Sequence, residues 1–464
     1  MVESSAQTLT LPIEVHVFEH EGQYYAFDIR NFTILKMGQQ PAEILKRASI
    51  QPISDIIGEL KSFIPAPAIR SYYLQFLNLL HNGVLSDTPV AAPRKQPFHR
   101  IVLLLAGGCN MGCLYCFEKD VPSYQGLNLM TREGAEEILH WFFTHQKGKK
   151  AHIQLYGGEP LLNWSILQYV VKRIDSWAQD RGLELTKYLI TNGTLLNPER
   201  ISWLKSHQIS IQVSVDGEAE THDRFRVLKT GKPSMALIQP NLKELSSQKA
   251  DYNLRAVLTR QNPDPNQVIN GLRSFGAERV SFEVVATDLI EARLTAEDWG
   301  NFHEKYYNFL HAPFSEWKRL PDEMQSLIIR LCERRRVFYG CGAGISEVTV
   351  APDGSIYECQ RMYRAPIGHV SENKGLDELN SRFLTMVDER IFCQECWARY
   401  LCGGGCMHQA YMESCKTEPL SQFCHTKRLL AEAAIVKIHQ IRSSHLIKES
   451  DMNYHLDAGC IIDY

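Results

Sequence analysis

Cys109, Cys113 and Cys116 stand at C-x3-C-x2-C spacing in a chain of 464 residues that holds 13 cysteines. Three thiolates so spaced can each ligate one iron of a [4Fe–4S] cluster and leave the fourth iron without a protein ligand. Structural clusters normally take four cysteines, so a three-cysteine set points to an iron kept open for chemistry. A zinc site or three buried thiols is the plainer alternative. Structural zinc needs a tight fourth ligand, and no His or Cys follows soon after Cys116.

A second cysteine set begins at Cys341, with twelve residues to Gly354 and four more before Cys359. It continues as Cys393-x2-Cys396-x5-Cys402-x3-Cys406 and closes at Cys424. Seven ordered cysteines are too many for one zinc ribbon. Disulfide scaffolds belong to small secreted domains, and Met1 to Leu11 lacks the basic and apolar regions of a signal peptide. No apolar run approaches the length needed to cross a bilayer. A formal net charge of −3 gives no sign of a broad nucleic-acid surface, and Arg334 to Arg336 reads as a solvated helix face. The expectation is a cytoplasmic, oxygen-sensitive metalloprotein.

The elements that must position these cysteines alternate. Strands are expected at Ile101–Leu105, His152–Tyr156, Thr186–Thr191, Ile209–Val215, Tyr252–Leu258 and Arg279–Ala286. Helices are expected at Thr131–His145, Trp164–Ala178, Asn197–His207 and Pro265–Phe275, with Asn197 as a cap and Pro198 in the first turn. Repeated β-then-α order implies a parallel sheet. Polar motifs fall at strand ends: Tyr156-Gly157-Gly158-Glu159-Pro160, Thr191-Asn192-Gly193 and Val213-Ser214-Val215-Asp216-Gly217. Each can also be read as an ordinary surface turn. Glu283 could face the sheet interior, where a buried carboxylate needs a partner.

Upstream, residues 13–85 read as a separate small unit. Val15, Val17, Tyr25, Phe27 and Ile29 alternate about Glu21-Gly22 as a hairpin, with a third strand near Ile34. A helix follows at Ile53–Phe63, with Ser54 as its cap, and another spans Tyr73–Leu80, closed by Asn82-Gly83. Ser86 to Pro97 reads as a linker. Thr287 to Tyr339 reads as bridging helices, with Cys332 a packed thiol.

The segment Cys109 to Cys116, with Tyr115 before the third cysteine, resembles the signature of the radical S-adenosylmethionine (SAM) superfamily. The resemblance implies an α/β fold: a partial (β/α)6 TIM-like barrel between a small winged-helix-like α+β domain and a C-terminal cysteine-rich SPASM domain. Expected bounds are 12–86 for a PqqD-like precursor-recognition domain, 98–290 for the barrel and 291–340 for bridging helices. The SPASM domain would span 341–430, and a C-terminal helix and tail 431–464.

In that family the open iron chelates SAM, whose reductive cleavage yields a 5′-deoxyadenosyl radical. The resemblance assigns Gly157, Gly158 and Glu159 to the SAM amino group, and Ser214 and Asp216 to the ribose, with Asn192 nearby. Tyr115 belongs to the same cofactor site, and Arg226 in His222-Asp-Arg-Phe-Arg226 would meet the carboxylate. By the same resemblance Cys393, Cys396, Cys402 and Cys424 ligate a distal auxiliary [4Fe–4S] cluster, and Cys341, Cys359 and Cys406 a proximal one. The proximal cluster takes Cys415 as fourth ligand or is open to a substrate thiolate, and Cys460 has no role.

The implied cofactors are thus a SAM-binding [4Fe–4S] cluster, two auxiliary [4Fe–4S] clusters and SAM. Implied partners are a ribosomally made precursor peptide, its leader held by the N-terminal domain, and a reductase such as flavodoxin or ferredoxin, with neither nucleic acid nor membrane. The favoured product is a Cys thioether. Carbon–carbon cross-linking, epimerisation and formylglycine formation stay open, as does a non-catalytic iron–sulfur carrier or peptide-binding protein. No general base is named by the sequence.

Overall fold

The computed structural model describes residues 10–91, 93, 96–120, 128–313, 321–361, 365–382, 384–408, 421–444 and 461–463. Cys415 and Cys460 lie outside the described residues.

The described residues form thirteen strands, β1 to β13 in chain order. The barrel strands are β4 (Arg100–Ala106), β5 (Lys150–Gly157), β6 (Glu184–Thr191), β7 (Ile209–Ser214), β8 (Tyr252–Leu258) and β9 (Arg279–Val284). All six pair in parallel in that order, as the alternation of strands and helices predicts. β4 reads Arg-Ile-Val-Leu-Leu-Leu-Ala and is buried along nearly its whole length, the pattern of a central parallel strand covered on both faces. Intervening helices bring their own start signals. Thr131 Oγ1 accepts from the Gly134 amide at 3.0 Å. Asn197 accepts from the Arg200 amide at 2.8 Å, with Pro198 in the first turn.

The sheet ends at β9 but does not stop at β4. β10 (Glu347–Val350) joins the free edge of β4 in parallel, and β11 (Ser355–Tyr357) and β12 (Gly368–His369) continue it antiparallel. The cysteine-rich segment is therefore fastened to the strand that leads into Cys109.

A second sheet holds β1 (Val15–His20), β2 (Gln23–Asp28) and β3 (Ile34–Met37), all antiparallel. Helices Gln39–Ala48, Ile53–Leu60 and Ala66–His81 pack on it around Leu35, Ile44 and Phe76. The helix at 39–48 was not foreseen; Pro41 sits in its first turn, where a missing N–H costs nothing. Ser54 does not cap its helix: Pro52 holds the cap position, and the Ser54 hydroxyl bonds Asp55 instead. The tail also departs from expectation, since β13 (Ile461–Asp463) pairs in parallel with β3.

This small unit packs on the cysteine-rich segment. The His16 ring stacks flat on Trp397 at 3.8 Å, and His16 Nε2 meets Glu432 at 2.8 Å. Glu14 pairs with Arg399. Glu432 belongs to the helix Ser421–Ser444, which runs unbroken across position 430. Among the described residues, no helix is long and apolar enough to cross a membrane.

Candidate functional site

The loop after β4 and the end of β5 meet backbone to backbone. The Gly158 amide donates to the Ala106 carbonyl at 2.9 Å and the Glu159 amide to the Gly108 carbonyl at 3.0 Å. A Cβ on Gly157 would lie 2.3 Å from the Ala106 oxygen, and one on Gly158 2.5 Å from the Gly108 oxygen. Gly157 also has φ of 146°, which disfavours any residue with a side chain. This contact delivers the Cys109 loop to the mouth of the barrel.

A cavity of about 560 Å³ opens there. Cys109, Cys113, Cys116 and Tyr115 line one part of it, and Gly157, Gly158, Asn192, Ser214 and Arg226 line the same space. Asn192 is anchored: its amide donates to Asn110 Oδ1 at 2.9 Å and lies 3.6 Å from Cys109 Sγ. Burial pushes the Cys109 thiol up to about 12 and raises Cys113 and Cys116 as well. Desolvated thiols keep their protons unless a cation displaces them, and a coordinating thiol is deprotonated outright. Three such donors on one cavity wall fit an iron–sulfur group. Among the described residues, no group of three His, Cys, Asp or Glu side chains is set to hold a single metal ion.

Two expected contacts are placed elsewhere. Glu159 is fully buried and outside the cavity lining. Its carboxylate accepts from the Leu161 amide at 3.0 Å, Thr191 Oγ1 at 2.8 Å and the Asn192 amide at 2.8 Å. Burial nevertheless pushes it up to about 7, against those three donors. Asp216 also lies beneath the lining. It accepts from Tyr115 and, at 2.9 Å, from the Val257 amide. Arg226 Nε lies 3.0 Å from Asp216 but its N–H makes no hydrogen bond, so the contact is a charge pair. Both carboxylates thus hold the residues that face the cavity.

His222 completes this support. Its Nδ1 accepts from the Asp216 amide at 3.3 Å, so Nε2 carries the proton toward Ser234 Oγ at 3.0 Å. The Ser234 hydroxyl in turn donates to the Arg226 carbonyl. Burial foremost, then Arg226, lowers His222 to about 4. A folded pKa below the unfolded value near 6.5 contributes stability that is complete above pH 6.5 and lost as pH falls toward 4. That contribution is about 3 kcal/mol. Urea midpoints from pH 8 to pH 4 are expected to fall more steeply for the wild type than for His222→Gln. Parallel curves would remove His222 from the acid response.

The second cysteine set divides into two neighbourhoods. Cys359 feels the charges of Cys406 and Cys341, whereas Cys402 feels those of Cys424, Cys396 and Cys393. Close glycine packing brings them there: a Cβ on Gly340 would sit 1.8 Å from the Gly405 oxygen, and one on Gly403 2.4 Å from the Tyr339 oxygen. Gln360, Arg361 and His408, beside Cys359 and Cys406 in the chain, line the main cavity. Cys332 ends the helix Asp322–Cys332 and packs against the core.

Glu283 does have partners. Arg255 donates to it at 2.8 Å and Arg361 donates to its other oxygen. These two arginines belong to no motif, and sequence reasoning missed them. A period-two signal could have found Arg255, because Gln154 and Tyr156, Gln212 and Ser214, and Arg255 and Val257 all line the cavity. Alternate positions of a strand share one face, so polar residues on alternate positions of buried strands mark the lumen.

Comparison with known proteins agrees with this geometry. Residues 103–239 match the family described as the Radical SAM superfamily. The serine-type anaerobic sulfatase-maturating enzyme of Klebsiella aerogenes is 24% identical over 344 residues, covering 68% of this chain and 82% of that protein. The cysteine-type enzyme of Clostridium novyi (strain NT) is 22% identical over 327 residues, covering 65% of this chain and 85% of its own. Among solved structures, native anSMEcpe with bound AdoMet and Cp18Cys peptide superposes with a TM-score of 0.64 at 18% identity. It covers 75% of this chain and 99% of the other.

Proposed function

We propose, from the premise that this is a radical SAM enzyme, that it modifies a side chain of a peptide or protein substrate held in the cavity at the mouth of the barrel. The observation that carries the reading is one cavity lined by Cys109, Cys113 and Cys116, by Gly157 and Gly158, and by the residues flanking Cys359 and Cys406. Cys109, Cys113 and Cys116 would hold a [4Fe–4S] cluster; with SAM on its open iron, it supplies a radical able to take hydrogen from a substrate carbon. The Gly157–Gly158 backbone would meet the SAM amino group, Ser214 the ribose with Asn192 nearby, and Arg226 the carboxylate. Tyr115 and Asp216 fix Arg226, and Glu159 fixes the ends of β5 and β6. Cys341, Cys359 and Cys406 would hold a proximal auxiliary cluster, and Cys393, Cys396, Cys402 and Cys424 a distal one.

Residues 12–86 recognise the leader of the substrate. The sheet supports this: β13 covers the β3 edge and β1 is its outer strand among the described residues, and sheet edges take extended peptides by strand addition. A flavodoxin or ferredoxin supplies electrons. The product we favour is a Cys thioether: the C–H hydrogen would leave on 5′-deoxyadenosine, the S–H would give up its proton, and the electron released as the sulfur–carbon bond forms would go to an auxiliary cluster. Oxidation of Ser or Cys to formylglycine is the second reading, favoured by similarity to the two sulfatase-maturating enzymes.

Anaerobic reconstitution followed by iron, sulfide and 5′-deoxyadenosine assays tests the class. The expected result is about twelve irons per chain with 5′-deoxyadenosine formed on reduction. Colourless, zinc-loaded protein that leaves SAM intact would overturn it. Mass spectrometry of a modified substrate separates the two products, since only formylglycine carries an aldehyde that hydrazine traps.

A further inference from the structure

Arg255, Glu283 and Arg361 form a charged group in the cavity that neither the SAM contacts nor the cysteines use. The three side chains keep 37%, 29% and 23% of their surface, and that surface lines the cavity. Both oxygens of Glu283 are taken, one by each arginine. Two guanidiniums therefore share one bonded carboxylate, and they carry more donors than it can accept. A guanidinium carries five N–H donors, and Glu283 is the only hydrogen-bond partner of Arg255 among the described residues. Most of the Arg255 donors are thus unspent.

The arginines differ in what else they face. The charge of Cys406 acts on Arg361, which compensates the neighbouring thiolates. The charges acting on Arg255 include Glu283, Arg361, Glu323, Asp322 and Lys427; Glu323 is itself paired with Lys427, which leaves Glu283 as the carboxylate bonded to Arg255. Arg226, toward the SAM carboxylate, already has Asp216 as its counter-ion. Arg255 is accordingly the cation with donors to spare. A second observation lies deeper in the same space. Gln154 is 3% exposed and lines the cavity; its oxygen accepts from Arg100 at 2.7 Å, while its Nε2 has no partner among the described residues. A buried donor left unmade is unfavourable, so the cavity calls for an acceptor on the β5 side as well. Glu283 itself is unsuited to accept a proton from substrate, because the two arginines hold it at about 2 despite burial. Its part is that of a fixed counter-ion.

We infer that Arg255, backed by Glu283 and Arg361, is a carboxylate-binding subsite that selects a peptide substrate with an anionic group beside the residue to be modified. The inference rests on reading this cavity as the place where substrate meets the radical. A planar guanidinium binds a carboxylate through two parallel N–H donors, which fixes orientation as well as charge. The carboxylate comes from an Asp or Glu side chain or from the end of the peptide.

Calorimetric titration of the reconstituted, SAM-loaded enzyme under anaerobic conditions tests this with three probes. One is acetyl-Ala-Glu-Ala-amide, the second its Gln counterpart, and the third acetyl-Ala-Ala-Ala with a free carboxylate. One or both anionic peptides are expected to bind about tenfold tighter than the Gln peptide, and the tighter of the two identifies the source. Glu283→Gln is expected to widen the preference, Arg255→Gln to erase it, and Arg255→Lys to keep part of it. Equal binding of all three peptides would overturn the subsite, as would a preference untouched by Arg255→Gln. So would an Arg255→Gln protein in which only an auxiliary-cluster potential moves, because the charge would then serve the cluster. Formation of 5′-deoxyadenosine in the same preparations keeps the two readings apart. Cleavage without peptide preference sinks the subsite alone, and no cleavage in the wild type sinks the radical reading.

Discussion

Replacing Cys109, Cys113 or Cys116 by alanine is expected to remove about four iron atoms per chain and to end 5′-deoxyadenosine formation. The three thiols line one cavity wall and are desolvated enough to stay protonated without a cation. Removing one leaves two donors for a group that already has an iron without a protein ligand. The other clusters should survive, because their cysteines sit on the segment that starts at Cys341 and on the helix Ser421–Ser444. Cys402→Ala is the matched comparison. It is expected to lose a similar amount of iron yet still cleave SAM, since Cys402 adjoins Cys424, Cys396 and Cys393 rather than the main cavity. Cys332→Ala, which removes a core thiol at a helix end, should change neither quantity. Full iron content and product in Cys113→Ala would remove the motif from the chemistry.

The barrel was legible because most strands carry short apolar runs bounded by turn residues, and several of the helices that follow bring their own cap, as Thr131, Asn197 and Asp264 do. Ile209–Val215 and Tyr252–Leu258 need no tertiary information to be recognised. Longer-range pairing was not legible. Glu347–Val350 joins β4 in parallel across more than two hundred residues of chain, and nothing within four residues announces a partner so distant. The side of a strand end to which a carboxylate turns was hidden for the same reason. Glu159 follows two glycines in a motif that suggests a ligand contact, but the tight backbone approach at Gly158 directs it to Thr191 and the Asn192 amide. Arg361 was hidden more thoroughly, since its place opposite Glu283 depends on how the cysteine-rich segment folds back over the barrel.

The approach of β5 to the Cys109 loop makes the strongest structural prediction. Gly157→Ala and Gly158→Ala are each expected to destabilise the chain by about 3 kcal/mol or more and to lower iron content at the first cluster. In both cases the new Cβ would meet a backbone carbonyl oxygen, at 2.3 Å and 2.5 Å, and a backbone cannot rotate out of the way as a side chain can. The nearest relief is to part β5 from the β4 loop, which breaks the amide bonds to the Ala106 and Gly108 carbonyls. It would also carry Cys109 away from Asn192. Gly22→Ala separates this from the general cost of a positive φ. Gly22 has φ of 75° but nothing within 4 Å of its Cβ, so its loss should be about 1 kcal/mol with iron unchanged. Glu159→Gln probes the same junction from below. An amide can accept from only part of the set Leu161, Thr191 and Asn192 that the carboxylate serves, and its own N–H2 group would face donors. A loss of about 2 kcal/mol with SAM binding weakened but not abolished is expected if Glu159 positions β5 and β6. Normal stability with SAM binding abolished would mean instead that the carboxylate touches the cofactor directly, and the two glycines would then serve the fold alone.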